Sequence, residues 1–227
     1  MMWRNTGERY GAVARVLHWT IAILIISTLF IGLILDDVSG PAKFALFRWH
    51  KSFGITVLAL ATIRILWRFT NIHPSKLSTH AAWEKFLATI THFLLYFAMI
   101  AMPLSGWLMS SAKGVKVSVY GLLTLPDLIA VNKPLGHLLN EFHVYLGWSL
   151  IGLIALHAAG AVKHHFLDRD ETLRRMLLFG RLAATLAFLL AGFMFIGQLL
   201  LLPSSAPPQM KSPPAAAAAP AAPATNT

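Results

Sequence analysis

Cysteine is absent from this 227-residue chain, and charged residues make up only 12% of it. Without cysteine the protein has no disulfides, no thiolate metal sites and no covalently attached c-type haem. Soluble domains carry about twice this share of charge, so the low value is atypical of a soluble protein. Apolar residues are abundant instead, because 56% of the chain is hydrophobic and its mean hydropathy is +0.63.

The apolar residues form long runs and not amphipathic stripes. Five runs approach the roughly 20 residues that a helix needs to cross a bilayer. They are Leu17–Leu35, Phe53–Phe69, Phe86–Met109, Phe142–Val162 and Met176–Leu202. The first run lacks a small-residue cleavage site, so we interpret it as a retained helix and not as a signal peptide. The sequence therefore predicts an all-α, polytopic membrane protein with five spans.

Loops and a tail account for the rest of the chain. The loops are predicted at Asp36–Trp49, Asn71–Lys85 and Ser110–Glu141. The last of them is too apolar to be disordered, so we expect it to pack across the outer mouth of the bundle. Residues 203–227 are low-complexity Pro/Ala sequence that cannot build a core, which predicts an extended, disordered tail.

Positive charge dominates, with 19 Lys and Arg residues against 9 Asp and Glu residues. Five spans would alternate the side on which each loop lies, so twelve of these cations fall on the side of the N-terminus and seven on the other. The positive-inside rule then places the N-terminus in the cytoplasm and the C-terminal tail outside, which in a bacterium is the periplasm. We interpret the net charge of +10 as topology and contact with anionic lipid, not as nucleic-acid binding.

Two histidines lie fourteen residues apart in the apolar segment "FHVYLGWSLIGLIALHAAGAVKHH", which begins at Phe142. At about 1.5 Å and 100° per residue, this spacing places His143 and His157 on one helix face, about 21 Å apart along the axis. The ligands of a zinc ion lie within one small sphere, so these two cannot share one. Each can instead serve a separate large cofactor, and imidazole is a good axial ligand for haem iron.

Depth in the membrane gives each of these histidines a partner. His18 and His157 lie near the cytoplasmic ends of their spans, whereas His50 and His143 lie near the outer ends. Depth therefore predicts two bis-histidine haems stacked across the bilayer. A single membrane histidine is more often a helix–helix hydrogen-bonding residue, but four that pair by depth are hard to explain in that way. His92 is interpreted as a packing or pocket-wall residue.

Three further residues are candidates for cofactor binding. Gly54 and Gly147 each follow a histidine by four residues, so a flat porphyrin could lie against the helix one turn on; glycine is also common wherever membrane helices pack closely. Arg64 follows His50 by fourteen residues, which places it beside the cytoplasmic haem, where a propionate would pair with it. Snorkelling of the Arg64 side chain to the interface is the alternative.

Five segments carry a resemblance to a known family. They are "VARVLHW", "RWHKSFG", "HFLLYFAMIAMPLSGW", "GLLTLPDL" and the histidine-bearing segment that begins at Phe142. Over about residues 10–176 the chain resembles the bacterial cytochrome b561 family of membrane di-haem cytochromes. The resemblance implies a four-helix transmembrane bundle over residues 1–175 with two b-type haems. It implies that the axial ligands are His18, His50, His143 and His157. Residues 176–202 would add a fifth transmembrane helix.

The resemblance also implies a function. Members of this family exchange electrons between the periplasmic face and the quinone pool, and superoxide:ubiquinone oxidoreductase activity is among their reactions. This chain would then be a multi-pass electron-transfer protein of the bacterial cytoplasmic (inner) membrane, with ubiquinone as electron acceptor or donor. Its periplasmic donor would be superoxide or a redox partner protein. Four outer lysines are candidates for attracting superoxide, or are ordinary loop charges: Lys51, Lys113, Lys116 and Lys133.

Two alternatives stay open on the sequence alone. The chain could be a cytochrome b anchor subunit of a larger dehydrogenase or hydrogenase, which would keep its haems and co-purify with a soluble subunit. It could also be a transporter or proton channel that uses histidines as a relay. Such a protein would bind no haem, so an optical spectrum separates it from the other two.

Overall fold

The computed structural model describes residues 2–75 and 81–177. Four long helices lie in these ranges: α1 (Ala12–Ile34), α2 (Gly40–Phe69), α3 (Ala82–Ala112) and α4 (Lys133–Phe166). All four are long and apolar enough to cross a membrane. Many of their large apolar side chains are exposed, as lipid-facing residues are. The protein is therefore a multi-pass helical membrane protein. The predicted tail lies outside the described residues, as does the predicted fifth span after residue 177.

Helices α2 and α4 begin earlier than the apolar runs indicated, because each has a start signal upstream of its run. Pro41 and Pro134 lie in the first turns of the two helices, where the missing N–H of proline is not needed. Asn132 also caps α4 by accepting a hydrogen bond from the Leu135 N–H. The predicted loops Asp36–Trp49 and Ser110–Glu141 are therefore shorter than expected, since residues 40–49 and 133–141 are helical.

A β-hairpin, which the sequence analysis does not predict, lies in the connection between α3 and α4. Its strands β1 (Val117–Val119) and β2 (Leu123–Leu125) are antiparallel, with Ser118 opposite Thr124. Tyr120, Gly121 and Leu122 join the strands, and the first two have φ angles of 54° and 74°. Two central residues with positive φ are the signature of a type I′ turn, whose twist matches that of the flanking strands.

The hairpin packs on α2, mainly through Tyr120. The Tyr120 N–H donates to Ser52 Oγ at 2.8 Å, and its hydroxyl is hydrogen-bonded to Thr56 Oγ1 at 2.7 Å. Its ring also contacts the rings of Trp49 and Phe53. The long connection therefore packs across one end of the bundle, as predicted. We call this end the hairpin side.

The helices pack in chain order, α1 on α2, α2 on α3 and α3 on α4. One buried apolar cluster joins α1, α2 and α3 through Ile21, Val57, Ala61 and Met99. Another joins α1 and α2. Neither cluster contains a residue of α4, which in the described chain packs chiefly on α3.

The opposite end of the bundle is closed by the chain that follows α4. Arg15 Nη1 and Trp19 Nε1, both on α1, donate hydrogen bonds to the carbonyl oxygens of Leu177 and Met176 at 2.8 and 2.9 Å. We call this end the terminus side, because the N-terminal segment and the chain after α4 meet there.

Candidate cofactor site on two histidine pairs

The four histidines singled out in the sequence form two pairs in the structure. His50 of α2 and His143 of α4 form the hairpin-side pair, with ring centres 6.2 Å apart. His18 of α1 and His157 of α4 form the terminus-side pair, and their ring centres are also 6.2 Å apart. The structure thus brings together the same partners that membrane depth predicts.

This ring spacing fits an iron atom between two imidazoles. Iron about 2 Å from each ligating nitrogen, with each ring centre roughly 1 Å behind its nitrogen, keeps the ring centres about 6 Å apart. A direct hydrogen bond of about 3 Å between two imidazole nitrogens would bring the centres to about 5 Å. Both pairs are therefore spaced for an intervening atom, and the residues present fit two bis-histidine haems.

Two glycines that the sequence analysis missed support the rings of the hairpin-side pair. A Cβ atom at Gly32 of α1 would lie 3.2 Å from His50 Cε1, and one at Gly106 of α3 would lie 3.1 Å from His143 Cε1. A side chain at either position would push the imidazole away. Each ring therefore rests against the backbone of a neighbouring helix.

The two glycines predicted from the sequence have different surroundings. A Cβ atom at Gly54 would meet no atom within 4 Å, so there is open space beside α2 where a flat ring system could lie. A Cβ atom at Gly147 would lie 3.2 Å from Met102 Cε, because Gly147 is buried where α4 packs on α3. Methionine is flexible, so this contact can adjust. Both glycines remain predicted cofactor-binding residues.

Arg64 lies in the last two turns of α2, toward the terminus side of the bundle, the end that its position in the sequence predicts. Its guanidinium lies 5.9 Å from the centre of the Tyr96 ring, and Nε is 3.4 Å from the Tyr96 hydroxyl. None of the ion pairs among the described residues includes Arg64. A guanidinium at membrane depth needs an anionic partner, and a haem propionate suits this role.

His92 of α3 also lies beside the terminus-side pair. Its ring centre is 5.2 Å from that of His157. This is 1 Å less than the spacing within the pairs, and it is too short to hold an iron atom between the rings. The position agrees with the pocket-wall role that the sequence suggests for His92.

An ionic cluster joins α3 and α4 at the terminus side. Lys163 Nζ lies 2.7 Å from Glu84 Oε1 and 2.7 Å from Asp168 Oδ2. The hydrogen bond from Lys163 lowers the pKa of the Asp168 carboxyl below its ordinary value. His164 Nδ1 also lies 2.7 Å from Asp168 Oδ2. The cluster ties the start of α3 to the end of α4.

The four outer lysines belong to the hairpin side, but they are not equivalent. Lys116 is paired with Asp127, and Lys113 donates to Asn140 Oδ1 at 2.8 Å. Among the described residues, Lys51 Nζ makes one hydrogen bond, a long one of 3.4 Å to the Lys116 carbonyl oxygen. Lys51, Lys116 and Arg48 line a shallow pocket whose apolar walls are Phe44 and Phe47. No ion pair among the described residues includes Arg48 or Lys51. Arg48 is thus a further basic residue of this surface, in addition to the four lysines that the sequence suggests for attracting an anion.

Residues 9–178 match the protein family described as prokaryotic cytochrome b561. The chain is 34% identical over 185 residues to "Cytochrome b561 homolog 2" of Escherichia coli (strain K12), covering 78% of this chain and 95% of that protein. It is 29% identical over 175 residues to "Cytochrome b561 homolog 1" of the same organism, covering 75% and 97%. It is 28% identical over 174 residues to "Probable superoxide oxidase CybB" of Yersinia pestis, covering 75% and 96%.

Proposed function

The chain belongs to the prokaryotic cytochrome b561 family of membrane electron-transfer proteins, and we propose that it carries electrons between a donor on the hairpin side and the ubiquinone pool. Each histidine pair would hold one b-type haem, with His18, His50, His143 and His157 as the iron ligands. The observation that supports this proposal most strongly is the equal 6.2 Å spacing of the two imidazole pairs at opposite ends of the bundle.

A haem supplies reversible one-electron chemistry at its iron. Two imidazoles would fill both axial positions and leave none for a substrate, which favours electron transfer over oxygen binding at the iron. His143 and His157 lie on one face of α4, about 21 Å apart by helix rise. Residues of α4 would therefore position both electron carriers, one at each end of the bundle.

Superoxide is the donor that we propose, because a relative from Yersinia pestis is named a probable superoxide oxidase. Two superoxide anions would each lose one electron and become O2. One ubiquinone would take up these two electrons and two protons and become ubiquinol. Arg48 and Lys51 line a pocket at the hairpin side, the end of the bundle that also holds His50, and their positive charge would raise the local concentration of an anionic donor.

The distribution of charge supports an orientation. Most of the cations among the described residues fall on the terminus side, so by the positive-inside rule this side would face the cytoplasm and the hairpin side the periplasm. The protein would then reside in the cytoplasmic (inner) membrane. It would remove electrons from a periplasmic donor and deliver them to the quinone pool within the bilayer.

The purified full-length protein in liposomes that contain ubiquinone provides the test. We expect superoxide supplied outside the liposomes to reduce the haems and to yield one ubiquinol for every two superoxide anions. The His137→Ala variant serves as a control and should behave like the wild-type protein, since His137 is exposed near the start of α4 and belongs to neither histidine pair. Haems that respond to ubiquinol but not to superoxide would exclude this donor. Protein without haem would indicate a histidine-relay transporter, and a tightly co-purifying soluble subunit would indicate an anchor subunit.

A further inference from the structure

The two imidazoles of the hairpin-side pair have nearly symmetrical surroundings. His50 of α2 rests on Gly32 of α1. His143 of α4 rests on Gly106 of α3. Each imidazole thus packs against a glycine of a neighbouring helix.

One residue breaks this symmetry. Ser105 directly precedes Gly106, and its Oγ lies 2.8 Å from His143 Nδ1. The corresponding residue on α1, directly before Gly32, is the fully buried Ile31, which has no polar side-chain atom. Within the described part of the chain, the buried Nδ1 atom of His50 makes no hydrogen bond of normal geometry. The two imidazoles therefore differ in one side-chain hydrogen bond.

The direction of this hydrogen bond follows from the other contact of Ser105. Its hydroxyl donates to the Met102 carbonyl oxygen at 2.8 Å, and a hydroxyl has only one proton to donate. The Ser105 oxygen therefore accepts the hydrogen bond, and the N–H at His143 Nδ1 donates it. Ser105 is only 4% exposed, so it is largely shielded from competing water. His143 is thereby held as the tautomer with a free Nε2, the nitrogen that can bind iron.

We propose that Ser105 is a positioning residue that fixes the tautomer and orientation of His143 and makes His143 a more basic ligand of the hairpin-side haem than it would be without the hydroxyl. An acceptor on the distal N–H of a ligating imidazole raises the basicity of that ligand. A more basic ligand stabilises ferric over ferrous iron. Ser105 therefore lowers the reduction potential of the hairpin-side haem relative to a site without the hydroxyl. This inference rests on the proposed ligation of haem by His50 and His143.

Potentiometric titration of the full-length Ser105→Ala protein tests the proposal. We expect the equilibrium constant for reduction of the hairpin-side haem to rise about threefold to tenfold, tenfold being about 59 mV for a one-electron couple. The terminus-side haem should be unchanged. Ser110→Ala is the matched control, because Ser110 is a buried serine of the same helix, 3% exposed, and should leave both potentials unchanged. The low-spin electron paramagnetic resonance signal of the hairpin-side haem should shift only in Ser105→Ala.

A second variant covers the case in which Ser105→Ala does not fold. Ser105→Cys keeps a side chain of similar size with a weaker acceptor, so it should move the same potential in the same direction by a smaller amount. Either variant with two haems bound and both potentials unmoved would overturn the role of Ser105. Failure of the ligation itself looks different: the wild-type protein would bind fewer than two haems, or His143→Ala would keep the hairpin-side haem.

Discussion

At the residue scale, the separation of imidazole rings distinguishes the proposed ligands from a neighbouring histidine. His92 lies 5.2 Å from His157, whereas the partners in each pair lie 6.2 Å apart. His92→Ala is therefore expected to keep two haems per chain, while His157→Ala should lose one. Pyridine haemochrome quantitation against protein mass measures both ratios. A haem lost from His92→Ala would make His92 a ligand and overturn the spacing argument.

Arg64 is expected to set the potential of the terminus-side haem. A positive charge near the iron favours the reduced haem, which carries one positive charge less. Arg64→Leu should therefore keep most of the haem but lower the terminus-side potential, on the order of 59 mV for a tenfold change in the reduction equilibrium. A redox titration measures the shift, and the hairpin-side potential should stay nearly constant.

Arg68→Leu is the matched control for Arg64→Leu. The Arg68 guanidinium lies 5.6 Å from the centre of the same Tyr96 ring. Arg68 follows Arg64 by four residues, so it lies one helical turn, about 6 Å, nearer the end of α2. Its removal should leave both potentials in place. If Arg64→Leu also left both potentials unmoved at full haem content, Arg64 would be an ordinary snorkelling residue.

The sequence predicts the four histidines of the site but not the residues that support them. The period of one helix and the depth of each span are enough to pair His50 with His143, because both properties are local to the chain. Gly32, Gly106 and Ser105 depend on which neighbouring helix each imidazole leans against. That choice is made by tertiary packing, so no periodicity within one helix reveals it.

At the element scale, the hairpin is the part of the fold that the sequence analysis does not predict. Each strand has three residues, so alternation of apolar and polar residues is too brief to detect. The turn also lacks the usual Asn-Gly signal. It uses Tyr120, which is held at positive φ by its contacts with Ser52 and Thr56 of α2. The starts of α2 and α4 are also not predicted correctly. Apolar runs locate the part of a helix that crosses the membrane, whereas the helix itself begins at a cap upstream of that run.

The contact between Tyr120 and Thr56 is expected to stabilise the hairpin on α2. Tyr120→Phe removes one hydrogen bond and keeps the ring, so the free energy of unfolding should fall by about 0.5–1.5 kcal/mol. The melting temperature should fall by roughly 2–4 °C per kcal/mol in a protein of this size. Thr62→Val is the control, because the Thr62 hydroxyl donates its hydrogen bond to the Leu58 carbonyl oxygen of its own helix. A fall no larger than that of the control would show that the hydrogen bond adds no stability.

At the scale of the whole molecule, the proposed function predicts an electrostatic asymmetry in the reaction with superoxide. Arg48→Glu should slow haem reduction by superoxide several-fold at low ionic strength, with the difference vanishing at high salt, because salt screens exposed charges. Stopped-flow absorbance measures these rates. Reduction by ubiquinol should stay unchanged. Lys43→Glu is the control, since Lys43 already lies 3.9 Å from Asp36. Equal rates for Arg48→Glu and wild type at low salt would remove the steering role.

The class of the protein follows from composition alone, because runs of about 20 apolar residues have few uses other than crossing a membrane. The four described helices confirm four of the five predicted spans. The fifth span and the periplasmic position of the C-terminus stay predictions, and a reporter fused after residue 202 would test both. The orientation rests on charge, and the function rests on the two histidine pairs.

Haem content of two double variants tests the central claim, that each haem is shared by one pair of histidines on different helices. Wild-type protein should hold two haems per chain. His50→Ala/His143→Ala removes both ligands of a single haem, so this variant should keep one haem, as either single variant does. His50→Ala/His157→Ala removes a ligand from each haem and should keep none. Haem retained by His50→Ala/His157→Ala and lost entirely by His50→Ala/His143→Ala would contradict the proposed pairing of the histidines. A ratio near one haem per wild-type chain would contradict it as well.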